Sequence, residues 1–517
     1  MLKIKSPEFV IQLLLGAVLL LFLFTRFFQI NSIPSSLYWD EASIGYNAYS
    51  VLTTGKDEWG DLFPLHFRAF GEFKLPVYIY SVVLSESIFG LNEFSVRLPA
   101  VIYSFGTILL IYFLTLRICK SKFIAILSAF FMAISPWFFL FSRTGYEVTA
   151  GLFFYLLSVY LYLAKDKKKY LFIFSIIVLI LSCYSYNSFR ILAIPTLLFF
   201  LAFLIYQKNF KLFRWQVFFG LTLFLVSLFP IARLYLLDSG LGRVFAVGIG
   251  SEGNFSINLI TNYFKHFSPE FLFFKGDSNL RSHVPGLGQI FILDLPLILL
   301  GIYFLIKKRQ LLMCLPVFFL LLGPIPAAIT KESPHALRSI LMVPGIVMLS
   351  ALGAQKVLEM RFGKAFTAVV LLGYLVIFGS YFSGFVVNYG KISSLDWQYP
   401  YKKIFTEYGT SFKNYDQVMI SDALAQPYIF GLFYLKYDPD KFREEVELNS
   451  INNWGFSTVK DYSNISFFNK ELIGKKIEGN VLIFNSVKET IIEGNQIGEI
   501  KDLNNQVIFN IYENNSE

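Results

Sequence analysis

Val10-Ile-Gln-Leu-Leu-Leu-Gly-Ala-Val-Leu-Leu-Leu-Phe-Leu-Phe-Thr25 carries no charge, and Gln12 is its one amide side chain. As a helix rising about 1.5 Å per residue, such a run reaches most of the way across a hydrocarbon core of roughly 30 Å. Comparable runs recur as far as about Val387. The 517-residue chain is 55% hydrophobic and 16% charged, whereas soluble globular chains average about 25% charged. An ordinary cytosolic enzyme is excluded. The first run exceeds a signal-peptide core and no small-residue cleavage site follows it, so it reads as a retained span. Cys119, Cys183 and Cys314 lie in or beside separate apolar runs with no metal-ligand spacing, which argues against a disulfide framework or a zinc site.

Working outward, roughly eleven spans are expected, at about 9–29, 97–117, 122–141, 147–164, 170–186, 190–207, 215–235, 289–306, 311–329, 338–355 and 365–387. The stretch 77–90 reads as an interfacial or re-entrant helix. With the N-terminus in the cytoplasm, Arg117/Lys120/Lys122, Lys208/Lys211/Arg214 and Lys356/Arg361/Lys364 all fall inside, as the positive-inside rule asks. The net charge of +9 therefore sits at membrane edges, which points to topology and lipid, with no nucleic-acid partner. An odd span count leaves the C-terminus outside. The expected architecture is an all-α polytopic membrane bundle over 1–390, with a small extracytoplasmic α/β domain over 391–517. The bundle carries two large outer loops, at about 30–96 and 236–288. In the tail, Gln417–Ser421, Asn480–Phe484 and Gln506–Tyr512 read as strands, and Pro427–Leu435 as a helix.

The polar chemistry gathers on the outer face. Leu37-Tyr-Trp-Asp-Glu-Ala-Ser-Ile-Gly-Tyr-Asn47 follows the first span. Adjacent Asp40 and Glu41 cannot point the same way at a helix start, so one can face a site while the other serves the scaffold. A carboxylate there can accept a proton from a hydroxyl or bind a metal; Asp followed by Glu is also simply a good first helical turn. Further on, Glu72 and Lys74 flank Phe73 just before Pro76, a residue suited to starting a helix. Outer segments hold Arg68, Arg97, Arg143, Arg190, Arg233, Arg243, Arg281 and Arg338 with fewer lysines, while the inner turns favour lysine. Topology needs only positive charge, but bidentate recognition of phosphate or carboxylate needs the guanidinium fork, so the set points to an anionic ligand. His66, His266, His283 and His335 all fall outside, without zinc-binding spacing.

At these residues the chain resembles the GT-C membrane glycosyltransferases, and within them the protein mannosyltransferase and aminoarabinose transferase group. The likeness runs through about 390 residues. It rests on Asp40-Glu41 after the first span, Gly71-Glu-Phe-Lys-Leu-Pro76, Gly90-Leu-Asn-Glu-Phe-Ser-Val-Arg-Leu-Pro99 and Ser135-Pro-Trp137 with Ser142-Arg143 and Glu147. Tyr184-Ser-Tyr-Asn-Ser-Phe-Arg190 and Ser333-Pro-His-Ala-Leu-Arg338 complete it. The pattern departs where Phe73 separates Glu72 from Lys74, and where Leu75 stands in place of a further proline.

The resemblance implies a polyprenyl-phosphate sugar donor and a hydroxyl acceptor on a protein, glycolipid or cell-wall polymer, with transfer at the outer face of the cell membrane. It places Asp40, Glu41 and Glu72 in the catalytic set, with Asp40 the general base and Glu41 its structural neighbour. Lys74, Arg97, Arg143, Arg190, His335 and Arg338 become candidates for the donor phosphate, and Tyr46, Glu147, Tyr186, Arg281 and His283 for the rest of the substrates. One direct displacement implies inversion. Asp40 and Glu41 leave room for a divalent ion, although arginines alone can stabilise a leaving phosphate. The rival class is a transporter or flippase for an anionic lipid, whose mark would be charged or broken spans at mid-membrane.

Overall fold

The computed structural model describes residues 7–166, 168–237, 248–251, 254–308, 311–450, 457–468, 479–489 and 495–515. Helices dominate. Among the described residues six are long and apolar enough to cross a membrane: Glu8–Phe27, Glu93–Cys119, Asn187–Tyr206, Phe210–Leu236, Leu311–Ala328 and Gly363–Ile392. Such a set makes this a multi-pass membrane protein. Other expected spans are shorter helices: Lys122–Ile134, Val148–Ala164, Tyr170–Cys183 and Met342–Leu358. The expected run 122–141 is divided at Ser135, whose hydroxyl accepts from Phe138 N and caps a new helix, Pro136–Phe141, with proline at its start.

The chain forms two compact units. One comprises residues 1–28 and 100–384, the other 29–99 and 385–517. The first outer loop, grouped with the bundle in the sequence reading, is thus compact with the tail. The boundary falls at Pro99, inside the helix Glu93–Cys119.

In the first unit, Asp294–Lys308 packs closely on Met342–Leu358. A Cβ on Gly301 would overlap the Leu349 carbonyl, and one on Gly353 the Leu297 carbonyl, so two glycines let the backbones touch. Asp294 is satisfied there: Oδ1 accepts from Ser350 Oγ at 3.0 Å and Tyr374 OH at 2.7 Å, and Oδ2 from Phe291 N at 3.1 Å.

The second unit carries a hairpin of β1 (Phe67–Ala69) and β2 (Glu72–Lys74). It also carries a seven-stranded sheet of β3 (Gln417–Ser421), β4 (Glu447–Leu448), β5 (Val459–Tyr462), β6 (Ile465–Phe468), β7 (Asn480–Ser486), β8 (Asn495–Lys501) and β9 (Val507–Asn515), in the order β4-β5-β6-β3-β7-β9-β8. β3 runs parallel to both β6 and β7, and the remaining pairs are antiparallel. β7 is buried on both faces along its apolar run, as a central strand must be, while the edge strand β8 is mostly exposed. The three strand segments expected from the tail sequence are β3, β7 and β9. The expected helix is Pro427–Tyr434.

Candidate active site

The helix Trp39–Thr54 begins with Asp40 and Glu41 in its first turn and ends at Gly55, whose φ of 74° closes it in the left-handed region. Its close approach to neighbours is at Gly45, where a Cβ would strike the Phe433 ring and Val96. The two carboxylates separate. Glu41 turns back: Oε2 accepts from Tyr38 N at 3.3 Å, and the carboxylate takes Arg97 Nε at 3.2 Å and Nη2 at 3.3 Å. Arg97 also donates to the carbonyls of Ile30, Pro34 and Ser36 at 2.6, 3.3 and 2.6 Å. Both side chains are 0% exposed. They saturate one another and lock residues 30–36 against the helix start.

Asp40 is 23% exposed in its side chain and meets Lys74, whose Nζ donates to Oδ1 at 2.7 Å. Lys74 Nζ is also 3.6 Å from Glu72 Oε1. The hairpin explains how. Phe70 and Gly71 hold φ of 38° and 84°, the positive pair that a two-residue hairpin turn of the right hand requires. Residues two apart on β2 share a face, so Glu72 and Lys74 point together and Phe73 points away. The phenylalanine between them, a departure from the family pattern, is thus what strand alternation provides. Pro76 then opens the helix Pro76–Phe89. Lys74 is engaged by two carboxylates and is 3% exposed, so its ammonium links Asp40 and Glu72.

The tail supplies the frame. Gln398 Oε1 accepts from Trp39 N at 3.0 Å. Glu93 accepts from Tyr434 OH at 2.6 Å and pairs with Lys402 at 2.9 Å. Buried Glu58, which the sequence reading passed over, accepts from Asn47 Nδ2 at 2.9 Å and Tyr428 OH at 3.1 Å, while its own N–H donates to Asn47 Oδ1 at 3.1 Å. Burial, then the adjacent Asp57, pushes Glu58 up to about 8. Tyr46 belongs to this packing as well: it is fully buried and its hydroxyl donates to the Tyr437 carbonyl at 3.1 Å.

The remaining residues lie in the first unit. Arg143 is buried, with Nη1 and Nη2 donating to the carbonyls of Thr25 and Phe28 at 2.9 Å each, and Arg26 donates from Nε to Ser142 Oγ at 2.7 Å. Arg143 therefore ties a helix end. Arg26, overlooked in the sequence, lies with its guanidinium over the rings of Phe22 and Phe139. Half-buried Arg190 donates to the Cys183 carbonyl and the Tyr235 hydroxyl at 3.2 and 3.0 Å. Tyr186 and Glu147 are half-buried at the starts of Asn187–Tyr206 and Val148–Ala164.

A second cluster forms where Asp277–His283 meets Thr330–Arg338. Asp277 Oδ2 accepts from Ala336 N at 2.7 Å, His266 Nε2 accepts from His335 N at 3.2 Å, and Arg338 Nη1 donates to Thr330 Oγ1 at 2.9 Å. Burial raises Asp277, and burial followed by the neighbouring Arg338, His266 and Arg281 lowers His335. Arg338, Arg281 and His335 are thus brought together. His283 turns aside, its Nε2 bonded to the Leu287 carbonyl at 2.7 Å. Arg243 lies outside the described residues. Glu41 is held by Arg97, so Asp40 and Glu41 do not converge as ligands for a divalent ion. Among the described residues no group of three or more His, Cys, Asp or Glu side chains is disposed to hold a metal.

Residues 74–232 match a family described as dolichyl-phosphate-mannose-protein mannosyltransferase. A comparison with curated proteins finds no match. Among solved structures, ArnT from Cupriavidus metallidurans in the apo state superposes with a TM-score of 0.57 at 9% identity, over 98% of each chain. The same protein bound to undecaprenyl phosphate gives 0.54 at 11% identity, again over 98% of each chain. The oligosaccharyltransferase AglB from Archaeoglobus fulgidus, in complex with an inhibitory peptide and a dolichol-phosphate, gives 0.52 at 14% identity, over 83% of this chain and 64% of that one. This chain spans 61 to 64% of the oligosaccharyltransferase's length. The GT-C resemblance read from the sequence is shown in the family match and in a fold shared with these glycosyltransferases.

Proposed function

We propose that the chain is an integral-membrane glycosyltransferase that moves a sugar from a polyprenyl-phosphate donor to a hydroxyl acceptor on the outer face of the cell membrane. The observation that carries this reading is the partly open Asp40, held by Lys74 at 2.7 Å at the start of a rigidly framed helix, in a fold shared with ArnT. Undecaprenyl phosphate in one similar structure and dolichol-phosphate in another support the lipid-phosphate donor. The remaining apolar helices would complete about eleven spans, with the N-terminus in the cytoplasm and the tail outside.

Asp40 takes the proton of the acceptor hydroxyl as its oxygen attacks the anomeric carbon. Lys74 and Glu72 hold the Asp40 carboxylate in one orientation. The bond from the anomeric carbon to the phosphate oxygen breaks, its electron pair stays on that oxygen, and the sugar inverts. Taken by itself, the cluster of Arg338, Arg281 and His335 has the chemistry to hold a lipid phosphate, because guanidinium forks match oxyanion geometry. Arg190, half-buried, is assigned to the same anionic lipid. The acceptor is a protein, a glycolipid or a wall polymer. The test is transfer by the purified full chain from a panel of radiolabelled polyprenyl-phosphate sugars to host membranes. Label appearing in a membrane acceptor supports the reading; donor translocation across proteoliposomes without transfer replaces it with the flippase.

A further inference from the structure

His335 sits in an unusual balance of partners. Its main-chain N–H donates to His266 Nε2, and His266 Nδ1 lies 2.9 Å from the Asn262 carbonyl, which fixes His266 as the neutral Nδ1–H tautomer. Burial keeps His266 neutral, lowering it to about 4, with Lys265 adding in the same direction. Asp277 Oδ1 accepts from Asn279 N at 2.9 Å and Oδ2 from Ala336 N, so its carboxylate joins the two loops through their backbones. The His335 ring is left over. Nδ1 is buried without a hydrogen-bond partner, 3.8 Å from Asp277 Oδ2, and Nε2 is 3.8 Å from Glu332 Oε2, on a side chain 77% exposed. Both distances exceed a hydrogen bond. Around the ring stand the cations Arg338 and Arg281, neutral His266 with Lys265 behind it, buried Asp277 and solvated Glu332.

We propose that His335 distinguishes a phosphate monoester from a phosphodiester at these loops by taking up one proton when the monoester dianion binds. This rests on the reading of the cluster as the lipid-phosphate site. The charges follow from the reaction. The sugar-linked donor is a diester with one negative charge. Arg338 and Arg281 carry two positive charges, one of them offset by Glu332, 3.7 Å from Arg338, so the loops offer a net single charge that matches the diester. When the anomeric carbon–oxygen bond breaks, the phosphate keeps the electron pair and becomes a monoester with a second negative charge. The acceptor's proton has gone to Asp40, so a further cation must come from elsewhere. His335 is a buried base at that place, and it takes its proton from solvent. Once the monoester leaves, burial and the neighbouring arginines expel the proton and restore the neutral ring for the next donor.

The test is calorimetric binding of farnesyl phosphate and of its methyl diester to the detergent-purified full chain, at pH 7 to 8, in two buffers of different ionisation enthalpy. For wild type the expected uptake is about one proton per farnesyl phosphate and about none for the diester, with monoester affinity falling by up to about tenfold per pH unit as pH rises. His335→Gln is expected to lose the uptake and to bind both lipids with similar affinity. Monoester binding to wild type without proton uptake overturns the proposal, and this comparison needs no variant. Uptake preserved in His335→Gln overturns it equally. If neither lipid binds wild type, the phosphate-site reading itself falls, an outcome distinct from either.

Discussion

Lys74 Nζ lies 2.7 Å from Asp40 Oδ1, although 34 residues separate the two in the chain. The bond joins the first turn of one helix to the last residue of a hairpin strand, and Glu72 Oε1 lies 3.6 Å from the same ammonium. One cation therefore meets two carboxylates, and of the adjacent acidic pair only Asp40 is partly exposed.

Replacing that cation should damage turnover before it damages the fold. Lys74→Met leaves Asp40 and Glu72 without their shared partner and is expected to lower kcat by about a hundredfold, the scale of one preorganised charge. Lys74→Arg should retain more of the rate. Parallel loss of kcat and of melting temperature in both variants would instead assign Lys74 to stability alone.

Arg97 predicts the opposite split. Its ion pair with Glu41 is wholly buried, and removing one partner of such a pair costs about 3–5 kcal/mol. Arg97→Met is expected to lower the unfolding midpoint sharply in detergent, and Glu41→Gln to do so more mildly. A stable Arg97→Met protein that has lost only donor affinity would return Arg97 to the phosphate.

Glu58 gives the second unit a pH dependence of known sign. Its carboxyl is raised by burial from 4.5 to about 8, so the folded chain keeps a proton that the unfolded chain releases. Stability from this group is full below about pH 4.5 and falls as pH rises towards 8. Asp422, also raised by burial, to about 6, acts in the same direction. Melting temperatures from pH 5 to 8 should decline in wild type and decline less in Glu58→Gln. Matching slopes would remove Glu58 as the cause.

In the other unit, Gly353 allows two helices to touch where a Cβ would overlap the Leu297 carbonyl. Gly353→Ala should cost about 1–3 kcal/mol, the usual range for overpacking. Circular dichroism melts in detergent measure it, and an unchanged midpoint would mean that the helices part without penalty.

Much of this was legible in the sequence. Apolar runs with clean flanks announced the membrane helices, and alternation in Gln417–Ser421 and Asn480–Phe484 announced two central strands. Asp40 and Glu41 had to diverge because consecutive side chains on a helix point about 100° apart. The purposes of the arginines were not legible. A guanidinium at a helix end looks the same in sequence whether it meets a lipid phosphate or, as Arg97 and Arg143 do, backbone carbonyls of a distant segment. Arg26 was hidden by its place inside an apolar run. Glu58 and Asp277 act through partners 370 and 59 residues away, Tyr428 and Ala336, which no local pattern connects. The placement of residues 29–99 with the tail depends on the same kind of long-range pairing.

The most direct test is single-turnover transfer by Asp40→Asn beside wild type, with donor binding measured on the same preparations. Asparagine keeps the size of the side chain and can still contact its neighbours, but it cannot take the acceptor's proton. Donor bound with near wild-type affinity and transfer reduced by at least about 10³-fold is the predicted result. Transfer within a few-fold of wild type would contradict Asp40 as the base.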